Sequence, residues 1–186
     1  MLRNEDLTGA VLSGSLLTLS DFSGSTMVGA KLNETQVSRT RFEGAILSRA
    51  DFTKAIGWRA HFGQAVLEQA VFRSADMNRS NFVKVRAAGA TFNKAELSRS
   101  DFSGADLVGA NLEKAELVRV VFQNTGLANA NFSYSNLSRA NLNGAQLKGV
   151  NLTQSYLYLT RLSGADLSSA VGRKRANLCT FSSLMQ

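Results

Sequence analysis

The chain has 186 residues, 44% of them hydrophobic, and carries 21 Lys and Arg against 14 Asp and Glu, a net charge of +7 with pI ≈ 10.0. That length and apolar content suit a folded core and exclude a disordered chain. No apolar run approaches the ~18 residues of a membrane-spanning helix. A lone cysteine, Cys179, excludes a disulfide within the chain. The opening stretch MLRNEDLTGA lacks the charged-then-apolar pattern of a secretory leader, so a cytoplasmic protein is expected.

From residue 7 to residue 167 every fifth position is large and apolar: 18 Leu, ten Phe, Met27, Met77 and Val37, with only Gly57 and Ala87 breaking the series. Two places before each lies a small residue, 18 of them Ala and 11 Ser or Thr, with Glu5 the only large one. Five is neither the helix period nor the strand period. A pair spaced by two points the same way in extended chain. The chain must then turn, or the next pair would point outward. Eleven of the 15 glycines sit two places after the large residue, where a corner turn needs positive φ. These features predict a solenoid.

The quintets Ala105-Asp106-Leu107-Val108-Gly109, Ala110-Asn111-Leu112, Ala130-Asn131-Phe132, Ala140-Asn141-Leu142 and Ala165-Asp166-Leu167 resemble the signature of pentapeptide-repeat proteins. The resemblance covers about residues 5 to 170. It implies an all-β fold: a right-handed quadrilateral parallel β-helix, a solenoid with four pentapeptides per coil and about eight coils, spanning residues 1–170. Residues 20 apart should then stack. Phe22, Phe42, Phe62, Phe82, Phe102 and Phe122 fall in one such column, and Phe52, Phe72 and Phe92 in a second on the opposite face. Asn111, Asn131 and Asn151 are placed to form an amide ladder. At Gly57 two readings stand. Either Trp58 turns inward to fill the gap, or the core is thin there and Trp58 lies outside. The pattern breaks at Val171-Gly172-Arg173-Lys174-Arg175, so residues 171–186 are expected to be a C-terminal cap or a dimer contact.

No enzyme signature, metal-ligand spacing or phosphate loop accompanies the repeat, so no catalytic residue, metal or cofactor is assigned. His61 reads as an exposed residue without a role and Cys179 as part of the cap. Function must then lie on the outer surface. Arg39, Arg59, Arg79, Arg99, Arg119 and Arg139 recur every 20 residues as one column, ended by Leu19 and Leu159. Asp76, Glu96 and Glu116 lie three residues before the middle arginines and are expected to offset part of their charge. The same face carries Leu16, Ile56, Trp58, Tyr156 and Tyr158, with Tyr134 at the adjoining corner. Arginine with aromatics is the composition of protein-interface hot spots. A structural account also stands, because planar guanidinium groups stack readily. Lys54, Lys94 and Lys114 form a second, interrupted basic line that reads as solvated surface.

The function expected is a non-enzymatic scaffold for protein–protein interaction, with an acidic protein as partner, bound through the arginine and aromatic face. Leu159, Phe181, Leu184 and Met185 are the candidate contacts for a homodimer through an open end. An alternative follows from the resemblance: some pentapeptide-repeat proteins mimic DNA, bind DNA gyrase and so protect this topoisomerase from quinolones. That role rests on acidic surfaces, and this chain is basic. Direct nucleic-acid binding fits less well, since phosphates along a strand lie wider apart than the ~4.8 Å coil spacing.

Overall fold

A computed structural model describes residues 2–172. Every β-bridge in it is parallel and pairs a residue with the one 20 positions on, from Asp6 with Thr26 to Asn151 with Val171. The chain is therefore a β-helical solenoid. Its pairing is by single bridges, and among the described residues no continuous strand forms. The reason is the turn. Each quintet bends before a second bridge can add to the first.

One quintet shows how the backbone is satisfied. Leu7 N–H donates to the Thr26 carbonyl at 2.7 Å, and Gly9 N–H to that of Val28 at 2.9 Å. Ala10 N–H donates back to Leu7 at 3.0 Å and closes a four-residue turn. One coil on, Lys31 N–H donates to the Ala10 carbonyl at 2.8 Å. Four such turns separate a residue from the one it stacks upon. The third residue of every turn, each fifth position from Asn4 to Ser169, has φ between 53° and 70°. That is the type II pattern, which glycine adopts without steric cost. Gly9 and Gly109 serve it so, but Arg, Lys, Gln and even Leu hold the same conformation elsewhere.

One donor per quintet is left, and the Asp or Asn of the repeat meets it. Asp51 Oδ1 accepts from Thr53 N–H at 2.9 Å, and Asn131 Oδ1 from Ser133 N–H at 3.1 Å. These are Asx turns. They also use the oxygens that an amide ladder would need. Of the expected ladder only one rung forms, Asn131 Nδ2 to Asn111 Oδ1 at 3.4 Å, while Asn151 turns to Thr153 N–H at 3.0 Å. Inward hydroxyls bond to core carbonyls: Ser100 to Met77 at 2.7 Å, Thr125 to Phe102 at 2.8 Å.

Inside the rod the phenylalanines stack along both expected columns. Phe62, Phe82 and Phe102 are 4.8 and 4.5 Å apart with planes within 4°. Phe52, Phe72 and Phe92 stack likewise at 4.7 and 4.9 Å. The two columns are not isolated on opposite sides. They meet edge to face across the centre, as Phe72 meets Phe82 at 5.8 Å and 86°. Such pairs contribute ~0.5–1.5 kcal/mol each beyond area burial. Where Leu112 interrupts the second column, Phe122 loses a neighbour and tilts 32° from Phe102.

Near the first coil, Asp21 is buried. Its carboxylate accepts Ser23 N–H at 3.0 Å and Arg3 Nε–H at 2.6 Å. The Ser23 hydroxyl and N–H, and then Arg3, hold its pKa below the usual carboxylate range against the opposing effect of burial. A lowered folded pKa stabilises above about pH 4 and is lost as pH falls through it. The thermal midpoint of the wild type should therefore fall more steeply between about pH 4 and 2 than that of Asp21→Asn. Parallel curves would show that this carboxylate is not linked to folding.

The C-terminal segment expected to cap the rod lies, from residue 173 on, outside the described residues, as do Phe181, Leu184 and Met185.

Candidate functional site

The six column arginines occupy the positive-φ corner of successive coils, with φ from 55° at Arg39 to 63° at Arg99. A side chain there leaves the rod at its edge, and all six are exposed. Among the described residues none of them forms a salt bridge. The ion pairs lie elsewhere: Arg3 with Asp21, Arg41 with Glu43, Lys54 with Glu34, Arg86 with Glu68, Lys114 with Glu113.

The three carboxylates expected to offset this charge are turned to amides instead. Asn78 Nδ2 donates to Asp76 at 2.9 Å and to Glu96 at 3.2 Å, and Asn136 Nδ2 donates to Glu116 at 2.8 Å. They share an open groove with Arg79 and Arg99, so the charges feel one another without pairing.

Of the two readings at Gly57, the structure selects the one with Trp58 outside, and the core is not thin there. Met77, one coil on, fills the space. A methyl group added at Gly57 would collide with the Met77 thioether and stand 3.1 Å from Val37 Cγ2. Trp58 lies half-buried on the outer side beneath the arginines. Arg59 Cζ is 4.2 Å from its ring centroid, with Arg39 at 5.7 Å and Arg79 at 5.8 Å. Cation–π attraction of ~0.5–1 kcal/mol per exposed contact gathers three like charges at one place.

The remaining aromatics do not join this cluster. Tyr156 and Tyr158 stack on each other at 6.4 Å on the same side, further along the rod, with Leu159 exposed at the next corner. Tyr134 belongs to the adjoining corner and packs under Lys114 Nζ at 5.5 Å. Sequence reasoning also missed a part of the site. Around the corner from the arginine column, Arg41 and His61 line a second open groove of ≈ 470 Å³ together with Arg39, Arg59 and Arg79. Glu43 lies beside them, 3.3 Å from Arg41 Nε and 3.9 Å from His61 Nδ1. The signal was the spacing of two, Arg39 with Arg41 and Arg59 with His61, which straddles a corner.

A family profile described as a pentapeptide repeat region matches residues 55–132 and 75–152, and one described as pentapeptide repeats (8 copies) matches 6–44 and 135–171. The chain belongs to the pentapeptide-repeat family. Among solved structures of such proteins it is similar to HetL, from the cyanobacterium Nostoc sp. strain PCC 7120, a protein involved in heterocyst differentiation regulation. The two are 22% identical over 92% of this chain and 91% of that one, with a TM-score of 0.51. It is similar also to a trypsin-treated form of QnrB1, a plasmid-mediated fluoroquinolone resistance protein, at 22% identity over 93% and 89% of the chains and a TM-score of 0.55. At these identities the likeness is one of fold. No curated protein matches the chain in sequence. Pentapeptide-repeat proteins are generally non-enzymatic structural proteins.

Proposed function

We propose that this pentapeptide-repeat protein is a non-enzymatic scaffold that docks an acidic protein along its arginine edge. In this reading residues 1–170 form a right-handed quadrilateral rod of about eight coils, and residues 171–186 cap it or join two copies. The observation that carries the proposal is the run of six exposed guanidinium groups on consecutive coils, none in a salt bridge among the described residues, three of them gathered over Trp58. A rigid rod presents such groups already ordered, which lowers the entropic cost of binding. Arg and Trp are also the side chains that dominate interface energies.

Topoisomerase protection finds less support. The acidic series Asp76, Glu96, Glu116 is bounded by Ile56 and Asn136, far short of a DNA-like acidic surface, and likeness to QnrB1 is one of fold.

The test is capture from nuclease-treated lysate by the wild type and by an Arg79→Gln, Arg99→Gln, Arg119→Gln triple variant. An acidic protein retained by the wild type, released as salt rises and lost to the variant is the expected result. Identical captures by two proteins of equal thermal midpoint would make the column purely structural. Recovery of a topoisomerase subunit would favour the second reading.

A further inference from the structure

The geometry points to a second binding site, for a compact polyvalent phosphate chain, in the corner groove lined by Arg39, Arg41, Arg59, His61 and Arg79. Arg39, Arg41, Arg59, His61 and Arg79 line it together with Leu19, Ala60 and Asn81, and the guanidinium groups of Arg39, Arg59 and Arg79 lie at its margin over Trp58, which lines the adjoining groove. No carboxylate lines it. Glu43, outside the lining, pairs with Arg41 at Nε and stands near His61 at Nδ1. Both side chains are about half exposed, which leaves them open to a ligand.

The arrangement is local rather than a property of the whole column. Only Arg39, Arg59 and Arg79 converge on Trp58, and their distances to its centroid place the three guanidinium carbons within about 11.5 Å of one another. Arg99, Arg119 and Arg139 have no ring beneath them and do not line the groove. Stacked coils set the guanidinium rows ~4.8 Å apart. A short condensed phosphate concentrates several negative charges in one small ligand, which suits a cluster of four arginines. Arginine forks also match phosphate oxygens two at a time. The site needs no protein partner, and it includes Arg41 and His61, which lie outside the docking column.

Inorganic triphosphate is the probe. Trp58 is the only tryptophan of the chain, so displacement of Arg59 from its ring should change its fluorescence as the anion binds. Calorimetry should show saturable binding at least about tenfold tighter than sulfate at equal ionic strength, as charge-assisted bidentate contacts require. Arg41→Gln with His61→Gln should weaken it about tenfold, while Arg99→Gln with Arg119→Gln should leave it within about twofold. Stronger binding of a nucleoside triphosphate would identify the source as a nucleotide, and equal binding a free phosphate chain. Sulfate-like affinity, or equal loss in both variants, would overturn the site. The two readings separate because Arg99 and Arg119 belong to the docking column but not to this groove, while Arg41 and His61 belong to the groove but not to the column.

Discussion

Phe82→Ala should destabilise the rod by ~3–5 kcal/mol, the largest effect of any single substitution considered. Phe82 is fully buried and touches four other rings. It stacks on Phe62 at 4.8 Å and Phe102 at 4.5 Å, and meets Phe72 and Phe92 edge to face at 5.8 and 6.0 Å. Removing the ring leaves a void that neighbours fixed by backbone pairing cannot collapse into. A solenoid adds a further consequence. Each coil contacts only its neighbours, so a weak layer uncouples the two parts of the rod. Denaturant unfolding should broaden or separate into two steps. Phe122→Ala provides the comparison. That ring is already tilted and has two ring neighbours, so its loss should cost ~1–2 kcal/mol less. A Phe82→Ala loss below ~1.5 kcal/mol would mean that the column is loosely packed.

The second large effect runs against the repeat itself. Leu is the commonest residue at the inward position, so Gly57→Leu restores the pattern. It should nonetheless destabilise by ~1–3 kcal/mol, because the space is already filled. Met77 is fully buried and its Cε would lie 2.8 Å from a Cβ at position 57. Met77→Ala alone opens a cavity and should cost ~2–5 kcal/mol. Combined, the two changes should be far less harmful than their sum, because the introduced leucine would occupy what Met77 vacates. A double-mutant cycle measures this coupling. Additive losses would show that the two positions do not share one space. Gly57 has no positive φ to confound the result.

The opening of Gly57 to two readings also shows where sequence stops informing. The five-residue period is legible because each position has one physical task. The large residue fills the core, the small one makes room for it, and the corner residue takes positive φ. Asp or Asn receives the spare N–H. Three of these tasks, those of the core pair and of the corner, were read from the sequence alone. Asp and Asn were recognised only as a signature, and their Asx turns emerged with the backbone. At Gly57 the gap lay within reach of Trp58 in the same turn and of Met77 one coil on. The flexible thioether reaches irregular space at little cost, and its reach is not written in the spacing. The anion-binding corner was hidden for another reason. Sorting outer residues by side separates Arg39 from Arg41, although a corner brings them to one groove. The charge balance on the docking side was hidden too, because Asp76 and Glu96 preferred Asn78 to the nearest arginines.

Bridging one residue in each quintet to the residue 20 positions on makes length itself discrete in this protein. A single inserted residue would turn all later core side chains to solvent. Five inserted residues would keep inside and outside but set phenylalanines upon leucines and interrupt the arginine edge. Excising residues 79–98, in contrast, would lay Arg99 over Arg59 and Phe102 over Phe62, with every column resumed and the rod one layer shorter. Such a molecule tolerates duplication and deletion of whole layers far better than it tolerates a shift of one residue. Its natural unit of variation is the layer.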